Sequence, residues 1–242
     1  MNKRTILHES RSILQQSLDL LFPMRCAGCQ RSGYVLCPSC FSQIHSLSTS
    51  SCQRCSSPLS PSGACPTCQY APLKVTGLRA VSYYQEPLRS CIHALKYNGN
   101  TRMAEPLGAL LAQTYLNFGI QADVIIPVPL HSERHKQRGY NHAALLAAVC
   151  AAKTGLPFHD NLVLRHRATL AQVGLNPSER QQNVQGAFTC SPVFAPGQLY
   201  GRTILLIDDV CTTGATLEAC AAPLFSAGAR TVWGLVLARP SN

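Results

Sequence analysis

The feature that most constrains this chain is a set of four Cys-x-x-Cys pairs within residues 26–68, which hold eight of its 13 cysteines. The spacing inside each pair lets two thiolates turn toward one ion, and two such pairs complete a tetrahedral four-sulfur site. A closed site of this kind leaves no open coordination position for chemistry. We therefore predict a small zinc module of the four-cysteine type that binds two structural Zn²⁺ ions. The eight predicted ligands are Cys26, Cys29, Cys37, Cys40, Cys52, Cys55, Cys65 and Cys68.

The cysteine pattern alone leaves the metal and the pairing open. Four thiolates can also hold an iron–sulfur cluster. A sequential pairing places the first four cysteines on one ion and the last four on the other. A cross-braced pairing, in which alternate pairs share an ion, fits the spacing equally well. A disulfide framework is disfavoured, because we expect a cytoplasmic protein and cytoplasmic thiols stay reduced.

Composition excludes several classes of protein. With 46% hydrophobic and 13% charged residues among 242, the chain is too apolar for intrinsic disorder. Its longest apolar run, Ala143–Ala152, has ten residues, whereas a membrane-spanning helix needs about 20. The first twelve residues are charged and lack the apolar region of a signal peptide, so we predict a cytoplasmic protein without a membrane span. Eight thiolates with two Zn²⁺ would lower the net charge from +10 to about +6, which weakens any argument from charge to nucleic acid.

The remainder of the chain alternates apolar strands with helices. Predicted strands cover Leu78–Tyr84, Asp123–Val128, Thr203–Ile207 and Thr231–Ala238, and predicted helices cover Glu86–Tyr97, Arg102–Phe118, Tyr140–Lys153 and Thr216–Ala227. This alternation indicates a parallel sheet with helices on both faces. We predict an α/β domain over residues 77–242. It follows a zinc-binding module over residues 1–76, which begins with a helix over 10–22 and ends in a linker rich in Pro, Ser and Gly.

The segment Ile204–Thr216, with the sequence ILLIDDVCTTGAT, carries the most informative motif. An apolar strand delivers Asp208 and Asp209 at its carboxyl end, where open α/β sheets bind ligands. The next residues offer backbone N–H groups, hydroxyls and a helix N-terminus to a phosphate. Because the carboxylates suit vicinal hydroxyls, we predict a site for a ribose 5-phosphate. Its predicted phosphate ligands are Thr212, Thr213, Gly214, Ala215 and Thr216.

A second apolar strand is followed by a basic segment. Residues 131–141 contain Arg134, Lys136 and Arg138, and two prolines just before them favour a loop. We predict that Arg134 and Arg138 stabilise the charge that develops on a leaving pyrophosphate.

A third basic segment, residues 164–180, contains Arg165, Arg167 and Arg180 with few apolar anchors. This composition suits a mobile lid that excludes water during transfer, although an exposed loop fits it as well.

Together these motifs are similar to those of the ComF/GntX family of competence- and DNA-utilisation-associated proteins, over nearly the whole chain. The Asp-Asp pair and the Thr-Thr-Gly loop also look like the PRPP-binding signature of type I phosphoribosyltransferases. The resemblance rests on the cysteine pairs, Tyr84, Leu95–Tyr97 with Gly99, Pro127–Pro129, Arg138–Asn141, Gln172 with Arg180 and Asn183, and the loop at 207–216.

The resemblance implies a type I phosphoribosyltransferase-like fold, PRPP and Mg²⁺ as ligands, and a cytoplasmic role in DNA uptake (natural transformation) or in the use of external DNA. It indicates no acceptor. Thr212 stands where 6-oxopurine phosphoribosyltransferases carry an Asp, which disfavours nucleobase salvage. Under the enzyme hypothesis, Asp208 and Asp209 position the ribose for displacement of pyrophosphate.

Two further hypotheses remain open at this stage. In one, the zinc module and the Arg-rich segments bind single-stranded DNA, and the nucleotide pocket serves as a sensor or docking site without turnover. In the other, the zinc module only joins partners, such as components of the DNA-uptake machinery, and the Thr-Thr-Gly loop binds no ligand.

Overall fold

The computed structural model of the chain describes residues 24–47, 51–167, 176–193 and 197–241. The predicted helix over residues 10–22 and part of the predicted lid, residues 168–175, lie outside the described residues. The strands are β1 (Gly77–Tyr83), β2 (Val124–Pro127), β3 (Val163–Arg165), β4 (Phe188–Cys190), β5 (Thr203–Val210) and β6 (Thr231–Arg239). The α-helices are α1 (Pro38–Ser42), α2 (Pro66–Tyr70), α3 (Leu88–Tyr97), α4 (Ala104–Phe118), α5 (Ser132–Arg138), α6 (His142–Thr154), α7 (Pro177–Val184) and α8 (Ala215–Ser226).

Four strands form one parallel sheet in the order β1-β6-β5-β2. Thr203 of β5 lies opposite Thr231 of β6, and Ile204 lies opposite Val124 of β2. The aliphatic residues at the centre of β5 are fully buried, because a parallel sheet is covered on both faces. The predicted parallel sheet is confirmed.

Helices cover both faces of the sheet, which confirms the second part of the predicted architecture. On one face, α3, α4 and α6 bury residues such as Leu95, Leu107 and Leu146 against the sheet. On the other face, α8 shares a core with the antiparallel pair β3–β4 and with cysteines of the zinc-binding module. Because each face has its own apolar layer, the sheet is the centre of the molecule.

The strand β5 extends three residues beyond its predicted end at Ile207. Asp208 lies opposite Val236 and Val210 lies opposite Ala238, so pairing with β6 continues through the acidic pair. Both carboxylates therefore start from a rigid strand, and the loop begins only at Cys211.

Two segments differ from their predicted form. The prediction of a loop over residues 131–141 is wrong, because residues 132–138 form α5. His131 caps this helix, with its Nδ1 accepting a hydrogen bond from the Glu133 N–H at 3.3 Å. Likewise, the described parts of residues 164–180 include β3 and the start of α7, which opens with a capping box between Asn176 and Glu179.

The cysteine-rich part consists of a first ribbon (residues 24–47) and a second ribbon (residues 51–70). The cysteines group sequentially, the first four in the first ribbon and the last four in the second, so the cross-braced alternative does not apply. The helix α1 follows Cys37 and α2 follows Cys65, and in each case the cysteine Sγ caps the helix. The predicted domain boundary at residue 76 stays a prediction.

Candidate functional site

A cleft of about 920 Å³ opens at the carboxyl edge of the sheet, where β2 and β5 end. Its lining includes most of the predicted ligands: Asp208, Asp209, Thr212, Thr216, Arg134 and Arg138. Sequence reasoning assigned no role to Lys96 or His142, which also line it, and it placed Arg165 and Arg180 only on a lid. The described lining carries five Lys or Arg side chains and two carboxylates, so the cleft has an excess of positive charge that suits a polyanion.

The two carboxylates differ in their surroundings. Asp209 is 3% exposed and its carboxylate forms an ion pair with the Lys96 ammonium. Burial raises the pKa of Asp208 to about 6, and the nearby cations Lys96 and Arg165 offset only part of that effect. The Asp208 Oδ1 accepts a hydrogen bond from the Asp209 N–H at 2.9 Å, which holds the first carboxylate in place. The pair thus presents fixed acceptors for hydroxyl groups.

Lys96 reaches the acidic pair from the end of α3. Burial is the main cause that lowers the pKa of Lys96 to about 8, and the cations Arg138 and Arg134 lower it further. The position of α3 is fixed by Tyr140, whose hydroxyl donates to the Leu95 carbonyl at 2.5 Å. Lys96 therefore remains mostly protonated at pH 7 and neutralises one of the two carboxylates.

His142, the first residue of α6, is a neutral imidazole with a defined tautomer. Burial, and then the charges of Lys96, Arg138 and Arg134, hold its pKa well below the usual range. An Arg138 N–H lies 3.1 Å from Nδ1 and can only donate, so Nδ1 accepts and Nε2 carries the hydrogen. Nε2 lies 3.5 Å from the Asp209 Oδ2. His142 thus links the Arg138 guanidinium to the acidic pair.

The phosphate loop (residues 211–214) connects β5 to α8. Within the described part of the chain, the N–H groups of Thr212, Thr213 and Gly214 donate to no protein acceptor. Gly214 adopts a left-handed φ of +92° before the first turn of α8. Three consecutive unpaired N–H groups at a helix N-terminus form an anion-binding concavity.

The predicted phosphate ligands divide into two groups. Thr212 and Thr216 line the cleft. The Thr213 hydroxyl instead accepts a hydrogen bond from the Ala215 N–H at 3.3 Å, and Gly214 and Ala215 are buried. Thr213 and Gly214 are therefore available to a phosphate through their backbone N–H groups, whereas the Ala215 N–H is already paired with the Thr213 hydroxyl.

Arg134 and Arg138 of α5 also line the cleft. Arg138 stacks over the Tyr97 ring, with 4.9 Å between the guanidinium carbon and the ring centroid. The loop after β2 is fixed by Asn141, whose side-chain amide donates to the Val128 carbonyl at 3.1 Å and whose Oδ1 caps α6. Arg134 and Arg138 are thus presented from a short helix whose ends are both anchored.

The cysteine groups fit zinc. In each ribbon, all four Sγ atoms lie within 4.8 Å of one another. The Sγ atoms of Cys29 and Cys37 are 3.6 Å apart, those of Cys52 and Cys68 3.8 Å, and those of Cys55 and Cys65 3.6 Å. A tetrahedral ion with Zn–S bonds of about 2.3 Å requires S···S separations of about 3.8 Å. Each ribbon therefore offers one complete site to one Zn²⁺.

The fold and these sites define an α/β protein with a cation-lined cleft and two four-cysteine ribbons. Residues 17–69 match the family model described as a double zinc ribbon domain. DNA utilization protein YhgH of Salmonella typhimurium is 34% identical over 207 residues, which cover 83% of this chain and 88% of that protein. Competence protein F of Haemophilus influenzae is 30% identical over 230 residues, which cover 90% of this chain and 98% of that protein.

The chain therefore belongs to the ComF/GntX family, the family of these competence and DNA utilization proteins, as its motifs predict. Among solved structures, the glutamine PRPP amidotransferase of B. subtilis, complexed with ADP and GMP, is 20% identical. That match covers 60% of this chain and 30% of the other, with a TM-score of 0.39. Among the described residues, no helix combines the length and apolar character that crossing a bilayer requires.

Proposed function

We propose that this protein is a PRPP-binding, phosphoribosyltransferase-like protein that acts in the cytoplasm in DNA uptake or in the use of external DNA. The observation that carries the proposal is the phosphate loop, whose three unpaired N–H groups closely follow an acidic pair at a cleft rich in cations. The names of the relatives support the setting, since they refer to competence and DNA utilization.

Each part of the cleft has a proposed role toward PRPP. Asp208 and Asp209 accept hydrogen bonds from the ribose hydroxyls. The backbone and hydroxyl groups of residues 212–216 bind the 5-phosphate, at the positive end of α8. Arg134 and Arg138 bind the pyrophosphate, because guanidinium groups hold phosphate oxygens in a bidentate manner.

The cleft also fits Mg²⁺ as the companion ion of PRPP. His142, Asp208 and Asp209 each bring one ligand atom within 4.8 Å of the others, and carboxylate oxygens are ligands that Mg²⁺ prefers. Asp208 and Asp209 would hold the ion together with oxygens of PRPP. When bound, Mg²⁺ neutralises charge on the pyrophosphate and orients it.

In the enzymatic form of this proposal, an acceptor nucleophile forms a bond to C1 of the ribose as the bond from C1 to pyrophosphate breaks. The pyrophosphate leaves with the electron pair of that bond. The positive charges on Arg134 and Arg138 stabilise the leaving group as its charge develops.

Melting temperatures of the zinc-loaded protein with and without PRPP and Mg²⁺ test the proposal. PRPP at a hundred times its Kd stabilises the native state by about 2.7 kcal/mol, which corresponds to roughly 5–10 °C for a chain of this size. The variant carrying Asp208→Asn and Asp209→Asn should show no shift, and the exposed Asp160→Asn serves as the matched control. Absence of a shift in the wild type, or an unchanged affinity in the double variant, contradicts the proposal.

A second candidate function, binding of single-stranded DNA, is favoured by exposed aromatic residues on the ribbons. Tyr34 is 44%, Phe41 42% and Tyr70 90% exposed, and exposed aromatic side chains can stack on unpaired bases. Fluorescence anisotropy with a labelled oligothymidine tests it. Affinity should fall steeply between 50 and 200 mM salt and fall further in Tyr70→Ser. Undetectable or salt-independent binding removes this candidate.

A further inference from the structure

Arg239, the last residue of β6, connects the second ribbon to the phosphate loop. Its side chain is buried, with 2% exposed. One terminal nitrogen donates to the Cys55 carbonyl and the other to the Thr212 carbonyl, each at 2.9 Å. The guanidinium therefore spans the Cys52–Cys55 pair on one side and the start of the phosphate loop on the other.

The charge of Arg239 is balanced from the ribbon. Within the described residues, no carboxylate forms an ion pair with it. Four thiolates and one Zn²⁺ carry a net charge of −2, and a buried cation is costly unless such a charge lies nearby. The thiolates of the second ribbon, which Zn²⁺ would hold deprotonated, thus supply the negative charge that a buried guanidinium at this position requires.

A separate contact joins the same two parts of the chain. Arg54, inside the Cys52–Cys55 pair, donates to the Leu73 carbonyl at 3.0 Å. The Leu73 side chain occupies the space next to Gly214 that a Cβ would fill. The phosphate loop therefore packs directly against the segment that leaves the second ribbon.

The hydrogen bond from Arg239 determines which way the peptide between Thr212 and Thr213 faces. In a trans peptide, the carbonyl and the following N–H point in opposite directions. Because the Thr212 carbonyl accepts a hydrogen bond from Arg239, the Thr213 N–H points away from the Arg239 guanidinium. Without Arg239, this hydrogen bond no longer holds the peptide, so the Thr213 N–H is no longer kept in place to donate to a phosphate.

We propose that Arg239 is a positioning residue through which the second ribbon holds the phosphate loop in its binding form. Zinc in the second ribbon then sets the affinity for the phosphorylated ligand, whereas zinc in the first ribbon does not. The first ribbon instead packs Ala27, Val35 and Leu36 against the opposite face of the sheet, beside α3. The ligand named in this inference, PRPP, rests on the proposed function, but the link between ribbon and loop does not.

The test compares Arg239→Lys with Arg79→Lys in the full-length, zinc-loaded protein. Arg79 is also buried and also lies near the thiolates of Cys52 and Cys55, but its guanidinium stacks on Phe118 and Trp233 and not on the loop. PRPP affinity is measured by calorimetry with Mg²⁺, zinc content by mass spectrometry, and hydrogen exchange over residues 211–216. A lysine keeps the charge but has one terminal nitrogen in place of the two with which the guanidinium reaches the two carbonyls.

Arg239→Lys should retain two zinc ions, bind PRPP about tenfold or more weakly, and exchange faster over residues 211–216, since a lost charge-assisted hydrogen bond has this magnitude. Arg79→Lys should leave affinity and loop exchange unchanged. Wild-type affinity and exchange in Arg239→Lys overturn the inference. If the wild type does not bind PRPP, the proposed function fails, while loop exchange still decides the link to the ribbon.

The second comparison uses one predicted zinc ligand from each ribbon, Cys29 in the first and Cys68 in the second. Cys68→Ser and Cys29→Ser should each lower the zinc content from two ions to one, but only Cys68→Ser should weaken PRPP binding and speed loop exchange. Equal losses in both variants overturn the inference. If Arg239→Lys does not fold, Arg239→Gln takes its place, because Gln cannot donate to both carbonyls as the guanidinium does: wild-type affinity and loop exchange in that variant overturn the inference.

Discussion

Replacing Asp208 by Asn should make the protein more stable while it weakens ligand binding. Burial raises the pKa of this carboxyl from 3.8 to about 6, so keeping it ionised at neutral pH opposes folding. A shift of about two pKa units corresponds to about 3 kcal/mol, and partial contact with solvent in the cleft reduces it to about 2 kcal/mol. Asn removes the charge and keeps an oxygen that can accept the hydrogen bond from the Asp209 N–H.

The sign of the pH dependence follows from the raised pKa. The native state binds a proton more readily than the unfolded state, so the wild type gains stability as pH falls through 6 toward 3.8. The advantage of Asp208→Asn should therefore narrow by roughly a quarter between pH 7.5 and 5.5. Lower pH is avoided, because protonated thiols release zinc.

Thermal or urea unfolding of the zinc-loaded wild type and variant measures this difference. At pH 7.5 the variant should melt roughly 4–8 °C higher, and Asp160→Asn, at an exposed acid, should change nothing beyond about 0.5 kcal/mol. An Asp208→Asn variant that is less stable than the wild type at pH 7.5, or a gap that widens toward pH 5.5, would refute the reasoning.

Three other predictions follow from single contacts. Gly214→Ala should cost about 2 kcal/mol or more of stability and abolish PRPP binding, because Gly214 has a φ of +92° and a Cβ would collide with the buried Leu73. Gly33→Ala is the control: Gly33 has a φ of +88° but open space around it, so this variant should lose about 1–2 kcal/mol and bind as the wild type does. Melting temperature and calorimetry separate the two. Lys96→Met should weaken PRPP binding about tenfold, because Asp209 loses its cation and repels the incoming anion; an unchanged Kd would contradict this. The thiols of Cys91 and Cys150, whose pKa values burial raises to about 12, should resist a disulfide reagent until the protein unfolds; rapid labelling of the native protein would contradict it.

The sequence predicted those parts of the fold that local rules determine. The two-residue spacing of Cys26 and Cys29 defines a metal-binding turn without reference to the rest of the chain. The aliphatic run before Asp208 likewise indicates a buried strand from its local pattern alone. The choice between sequential and cross-braced pairing of the cysteines depended on how the turns pack, which spacing does not encode.

The missed helix α5 had signals that composition obscured. Two prolines and several charges favoured a loop, but His131 stands at an N-cap position and Gly139 follows the helix with a φ of +79°. A glycine just after a polar segment is a helix stop signal. The cap and the stop signal predict this helix better than its apolar content does, because none of its side chains is buried.

Lys96 and His142 were missed for a different reason. Each sits at the end of a helix whose other residues are mostly apolar, and neither lies in a motif that specifies a charge partner. They become site residues only because α3 and α6 pack beside β5 and bring both side chains to Asp209. The partner of a buried ion is a property of the tertiary structure, and a single sequence carries no record of it.

The second ribbon also forms hydrogen bonds along the edge of the sheet. β1 is an edge strand, and an open edge invites pairing with other chains. The Leu78 N–H donates to the Arg54 carbonyl at 2.8 Å, and the Ser56 hydroxyl donates to the Leu78 carbonyl at 3.0 Å and accepts from the Ala80 N–H at 3.3 Å. The ribbon therefore satisfies the edge of the sheet and, through Arg239, the loop at its carboxyl end. A metal-stapled turn is suited to both tasks, because the metal rigidifies it without a hydrophobic core of its own.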